Sequence, residues 1–108
     1  MSRITYLFLA VFLAAGISLA APKEKTFVGS ISDDMCGLKH MMPGESDKDC
    51  TLECVKSGSK FVLADAAHQK VYKLSDQEKP REFAGRKVKV TGTLQGDTIQ
   101  VSSIAAAQ

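Results

Sequence analysis

Cys36, Cys50 and Cys54 are the only cysteines of the chain, and they fall close together. Met35, His40, Met41 and Met42 lie among them, and residues 55–108 contain neither cysteine nor methionine. Three chemistries suit such a cluster. The first is a staple: Cys36 joined to Cys50 or Cys54 closes a loop of roughly 15–19 residues, worth about 3 kcal/mol in the chain-entropy model. A staple uses two thiols and leaves the third buried, reactive or shared with another chain. The second is a metal site built from Cys36-x3-His40 and Cys50-x3-Cys54. Three thiolates and an imidazole suit tetrahedral zinc. Thioethers from Met35, Met41 and Met42 would shift the preference toward Cu(I), which is a soft ion. The third is thiol redox chemistry at Cys50, near a helix start that favours the thiolate. The chain has no Cys-x-x-Cys pair and no thioredoxin-like order of elements, which counts against that third reading.

Other chemistries find little support. Asp33-Asp34 is an acidic pair at a strand end, where such residues ordinarily cap turns. Ser30, Ser32, Ser57 and Ser59 have no histidine and acid at a spacing that suggests a nucleophile. No glycine-rich phosphate loop is present: Gly58 and Gly85 follow helical stretches, and Gly92 and Gly96 suit strand bends and turns. His68 sits in a turn beside Ala67 and Gln69 and reads as surface. The expectation is a non-enzymatic module.

The elements that must position the cysteines can be read from pattern. Residues 26–32, TFVGSIS, form a β-rich run with Phe27 and Ile31 on one face. Residues 33–46 read as a loop. Residues 47–56 read as a short helix, capped by Ser46 or Asp47 and stopped at Lys56 and Gly58. On it Cys50 and Cys54, four apart, share one face. Strands at 60–65 and 70–74 form a hairpin around a turn at 66–69. A polar stretch at 75–84 has helical signals limited by Pro80. Strands at 86–94 and 98–104 flank a tight turn at Gly96-Asp97. Val88, Val90, Ile99 and Val101 should face the core, with Lys87, Lys89 and Gln100 outside. Residues 105–108 read as a fraying tail.

The chain has 108 residues, 44% hydrophobic and 24% charged, which allows one domain and excludes a disordered or low-complexity class. Residues 1–20 distort that average. Ile4 to Ala20 carries no charge, follows Arg3, and ends Ser18-Leu19-Ala20, the pattern of a secretory signal peptide cleaved after Ala20. An uncleaved anchor is the competing reading of that run. Cleavage leaves residues 21–108, with a flexible leader at 21–25 and one domain at 26–108. Without Arg3, the fourteen basic residues become thirteen against twelve acidic ones, so no charge excess argues for nucleic acid. Only Phe27, Phe61, Tyr72 and Phe83 remain as aromatics, too few for a base-stacking surface.

Five strands, with a helical piece between the third and fourth, follow the order of an OB-type barrel. The run AGRKVKVTGTLQGDTIQVSSI resembles the closing hairpin of small exported bacterial OB-like domains. The longer pattern Gly29…Asp34-Met35-Cys36-Gly37…His40…Asp49-Cys50-Thr51…Cys54-Val55-Lys56…Gly58 resembles a family of short, uncharacterised secreted proteins. That resemblance implies export and a barrel-like fold, and brings no activity. The expected protein is therefore all-β, a small five-stranded OB-like β-barrel with a Cys-bearing helix inserted after strand one. It is expected in the periplasm or outside the cell, with no membrane span after signal cleavage. Its role is read as a binding or accessory module stapled by a disulfide, or alternatively as a Cys/His/Met copper or zinc protein. The partner is a small ligand, a metal ion or an envelope protein.

Overall fold

A computed structural model describes residues 23–39 and 46–107. Residues 1–20, read above as a signal peptide, lie outside the described residues together with His40, Met41 and Met42. Seven elements follow in order: β1 (Lys25–Asp33), α1 (Asp47–Lys56), β2 (Phe61–Asp65), β3 (Lys70–Leu74), a 3-10 helix (Lys79–Phe83), β4 (Lys87–Gln95) and β5 (Thr98–Ala106). The strands close into a barrel in the order β1-β2-β3-β5-β4, with β4 returning to β1. All contacts are antiparallel except β3 with β5. The all-β reading, the five strands and the Cys-bearing helix after the first of them are thus present in the structure.

Closure depends on β1 serving two neighbours. Its first part, Lys25–Ser30, pairs with β4, and its last part, Ser30–Asp33, pairs with β2. Strand alternation then fills the barrel. Ile31, Phe61, Leu63, Val88, Val90 and Ile99 are all buried in one core cluster, with Leu74 and Ala84. Lys87, Lys89 and Gln100 are exposed, as alternation requires. Val101 is only half-buried, because it lies opposite Gly92 where the β4–β5 register shifts. Gly92 is needed there: a side chain would run into the Gln100 carbonyl oxygen.

One expectation is corrected. The C-terminal tail does not fray at 105: Ala105 and Ala106 pair with Lys89 and Val88, and the N–H of Ala107 donates to the Lys87 carbonyl at 3.0 Å. An extended edge in register with β4 outweighs the low β preference of alanine. The polar stretch at 75–84 becomes a single 3-10 turn over residues 79–83, with Pro80 at its start. Gln77, just before it, acts as a clamp. Its side-chain oxygen accepts from the N–H of Phe61 at 2.8 Å, and its amide nitrogen donates to the carbonyls of Phe61 and Leu74 at 3.0 and 3.1 Å. One side chain thereby satisfies backbone groups at the start of β2 and the end of β3.

Asp at position 90 would put a carboxyl into this apolar interior, whereas position 89 faces water. Val90→Asp should therefore cost about 3 kcal/mol or more and abolish the cooperative melt, while Lys89→Asp should stay within about 0.5 kcal/mol of the parent. Thermal unfolding followed by circular dichroism checks the pair, and similar melting temperatures would refute the assigned faces.

Candidate metal centre

The site forms where the end of β1 meets the buried face of α1. Asp33, the last residue of β1, is wholly buried. Its Oδ2 accepts from the N–H groups of Met35 and Cys36 at 3.1 and 3.0 Å. This is the turn-capping role that an Asp favours at a strand end. The N–H of Gly37 donates to the Asp33 carbonyl at 2.8 Å, and the Ser32 hydroxyl donates to the Gly37 carbonyl at 2.8 Å. Gly37 takes a positive φ of 57° in the turn. The result is a tight reversal that folds Cys36 back over Asp33.

The helix supplies the other side. The Ser46 hydroxyl accepts from the Asp49 N–H at 3.2 Å, Asp47 and Asp49 lie in the first turn, and Lys56 lies in the last. Cys50, Thr51 and Cys54 are the buried residues of this helix, so the four-residue spacing does put both thiols on the inward face. The helix start is held close by Gly85, whose φ is 74° and whose position would bring any side chain onto the Lys48 backbone.

These two pieces bring Asp33, Cys36, Cys50 and Cys54 together, with one ligand atom from each lying within 4.8 Å of every other. In a tetrahedral site with zinc–sulfur bonds of about 2.3 Å, neighbouring sulfurs are separated by about 3.8 Å. The four atoms thus need only a small contraction to share one ion. No two of the sulfurs are joined in a disulfide. Cys50 and Cys54 are 0% and 7% exposed, so the centre is almost dry, and only the half-buried Cys36 borders solvent.

Two buried polar atoms in this setting, Asp33 Oδ1 and Thr51 Oγ1, have no partner at hydrogen-bond geometry, although the Cys54 thiol interacts with the Asp33 carboxyl. Leaving such an acceptor unmatched costs about 1–3 kcal/mol. Cys54 is disturbed as well. Burial first, and then the neighbouring Asp33 and Cys36, push its thiol up from the ordinary 9.0 to about 12. Without a cation, Cys54 keeps its proton at neutral pH.

Asp33 was not among the ligands that residue type and spacing suggested. It read as a turn cap, and it is one through Oδ2, while a carboxyl oxygen also lies within reach of the three sulfurs. The only sequence signal is an Asp three residues before a Cys at the end of a strand. Met35 is 67% exposed, as befits a surface side chain of the turn. Asp34, also exposed, accepts from the Lys60 N–H at 3.2 Å. His68 is far more exposed than buried but has a partner: its Nδ1 lies 2.8 Å from Asp65 Oδ2.

The raised Cys54 pKa sets a pH dependence for the metal-free protein. The unfolded chain releases this proton near pH 9.0, and the folded chain holds it to about pH 12. The folded state thus binds more protons in that interval, and stability, fully present below pH 9, falls as pH rises through it. Urea unfolding between pH 8 and 11 should show this slope in the parent and a shallower one in Cys54→Ala. Equal slopes would refute the assignment. No curated protein and no solved structure matches the chain. Residues 55–107, from the last turn of α1 through β5 and therefore short of all four cluster residues, match the model of an uncharacterised family described as a protein of unknown function (DUF5818).

Proposed function

We propose that the protein is a small metal-binding module and that zinc is its ion, held by Cys36, Cys50, Cys54 and Asp33. The convergence of three sulfurs and a carboxyl oxygen of the buried Asp33 within 4.8 Å carries this reading. A disulfide would use two of the sulfurs and give the third thiol and the Asp33 oxygen nothing to do. A bound dication would use all four: it replaces the Cys54 proton, matches Asp33 Oδ1 and offsets the cost of burying both. The ligand set also chooses among metals. Three thiolates with one carboxylate oxygen suit zinc, whereas Cu(I) prefers sulfur throughout. Met35, the one methionine among the described residues, is turned mostly to solvent. With every position taken by protein, the site is structural or a carrier site rather than a hydrolytic one, which keeps a position open for water.

The export signal read in residues 1–20 supports a location outside the cytoplasm. There the same thiols would be open to oxidation, and the stapled binding module is the reading that gains if the ion is absent.

Native mass spectrometry of the purified protein separates the two. The metal reading expects one zinc per chain and three alkylatable thiols once zinc is chelated. A mass two hydrogens lower, with one alkylatable thiol and no ion, would contradict it and give the staple instead. Asp33→Ala should weaken zinc binding by at least about 10–100-fold, the range typical for losing even an outer-shell partner. His40→Ala should change it little. The reverse order in a competition titration with a chromogenic chelator would make His40 the fourth ligand in place of Asp33.

A further inference from the structure

A concavity of about 610 Å³ lies away from the cysteine cluster, along the other half of β1. It opens where β1 parts from β2. The hydrogen bond from Asp34 N–H to the Lys60 carbonyl, with the pairing of Ser30 and Ala64, shows that even-numbered residues of β1 turn their backbone groups toward β2. The bond from Ile31 N–H to the Arg86 carbonyl shows that odd-numbered ones turn toward β4. The β1–β2 ladder stops at Ser30, because β2 ends at Asp65 and turns into β3. Among the described residues, Thr26 and Val28 therefore present their N–H and carbonyl groups to the groove with no strand opposite. An open strand edge of this kind is a template for another extended chain.

The walls indicate what kind of chain. Phe27 and Tyr72, with ring centroids 5.2 Å apart, give the groove an apolar part. Lys70 and Lys87 line it and are exposed. The only acidic residue of the lining is Asp65, and its carboxyl is occupied locally: Oδ1 accepts from the His68 N–H at 3.2 Å, and Oδ2 meets His68 Nδ1 at 2.8 Å. The groove thus combines a hydrogen-bonding edge, an apolar platform and two lysines against a single carboxylate.

We infer that this groove docks an extended, acidic peptide segment of a partner protein, which adds as a strand along Thr26 and Val28 and sets its carboxylates against Lys70 and Lys87. The site stands apart from the metal centre, since Asp33 occupies the opposite end of β1, and it does not rest on the metal reading.

The test uses the purified protein and a blocked six-residue peptide that alternates glutamate and valine, followed by amide nitrogen–proton correlation spectra. Saturable shifts at Thr26, Val28 and the 64–72 hairpin, with slowed hydrogen exchange at Val28, are expected. Lys70→Glu combined with Lys87→Glu should weaken binding at least about tenfold, since both charges face the ligand. N-methylating alternate peptide residues keeps charge and side chains but removes strand donors, and should abolish binding. If the methylated peptide binds equally well, the groove is an anion site without strand pairing and the inference fails. If the same shifts appear on raising protein concentration without peptide, the edge pairs with a second copy and the inference also fails. Absence of saturable shifts overturns it outright.

Discussion

Taking the Asp33 side chain out of water is expensive, and the geometry around it follows from how that cost is met. Two backbone N–H groups of the following turn satisfy one carboxyl oxygen. That satisfaction is what reverses the chain after β1 and returns Cys36 to the barrel end. The second oxygen has no donor at hydrogen-bond geometry in a region closed by α1. Buried polar atoms without a partner are few in native proteins, and an ion is one of the things that compensate them. On the proposed reading, a cation shared with three thiolates would do so, and it would also remove the penalty on Cys54, whose proton is held by the same burial.

The barrel makes the arrangement rigid. Asp33 sits at the end of a strand pinned on one side by β2, while Gly85 lies against the Lys48 backbone at the start of α1. Gln77 ties β2 to β3 through three hydrogen bonds and so secures the strand that β1 leans on. A site carried by a strand end and a helix face holds its ligands better than one carried by a loop alone. Divided pairing of β1 has a second consequence. The half that meets β2 ends in Asp33 of the candidate metal site, and the half that leaves β2 exposes an open edge.

Much of the fold was legible in the sequence. Alternation at Lys87, Val88, Lys89 and Val90 gave both the strand and its faces, and capping signals at Ser46 and Lys56 bounded the helix. The inward pair Cys50 and Cys54 followed from spacing alone. The role of Asp33 did not, because one side chain does two tasks and only the turn geometry separates its oxygens. Gln77 was equally opaque, since its contacts with Phe61 and Leu74 are set by tertiary packing. Ala105 and Ala106 carry no strand signal of their own and are held by the register of β4. His40, the ligand that spacing favoured, falls outside the described residues.

The central claim is that three sulfurs and the Asp33 carboxyl share one zinc ion. X-ray absorption at the zinc edge, measured on the purified protein, tests it most directly. The account predicts three sulfur neighbours at about 2.3 Å and one oxygen at about 2.0–2.2 Å. A shell dominated by nitrogen and oxygen, or one with four sulfurs, would contradict it.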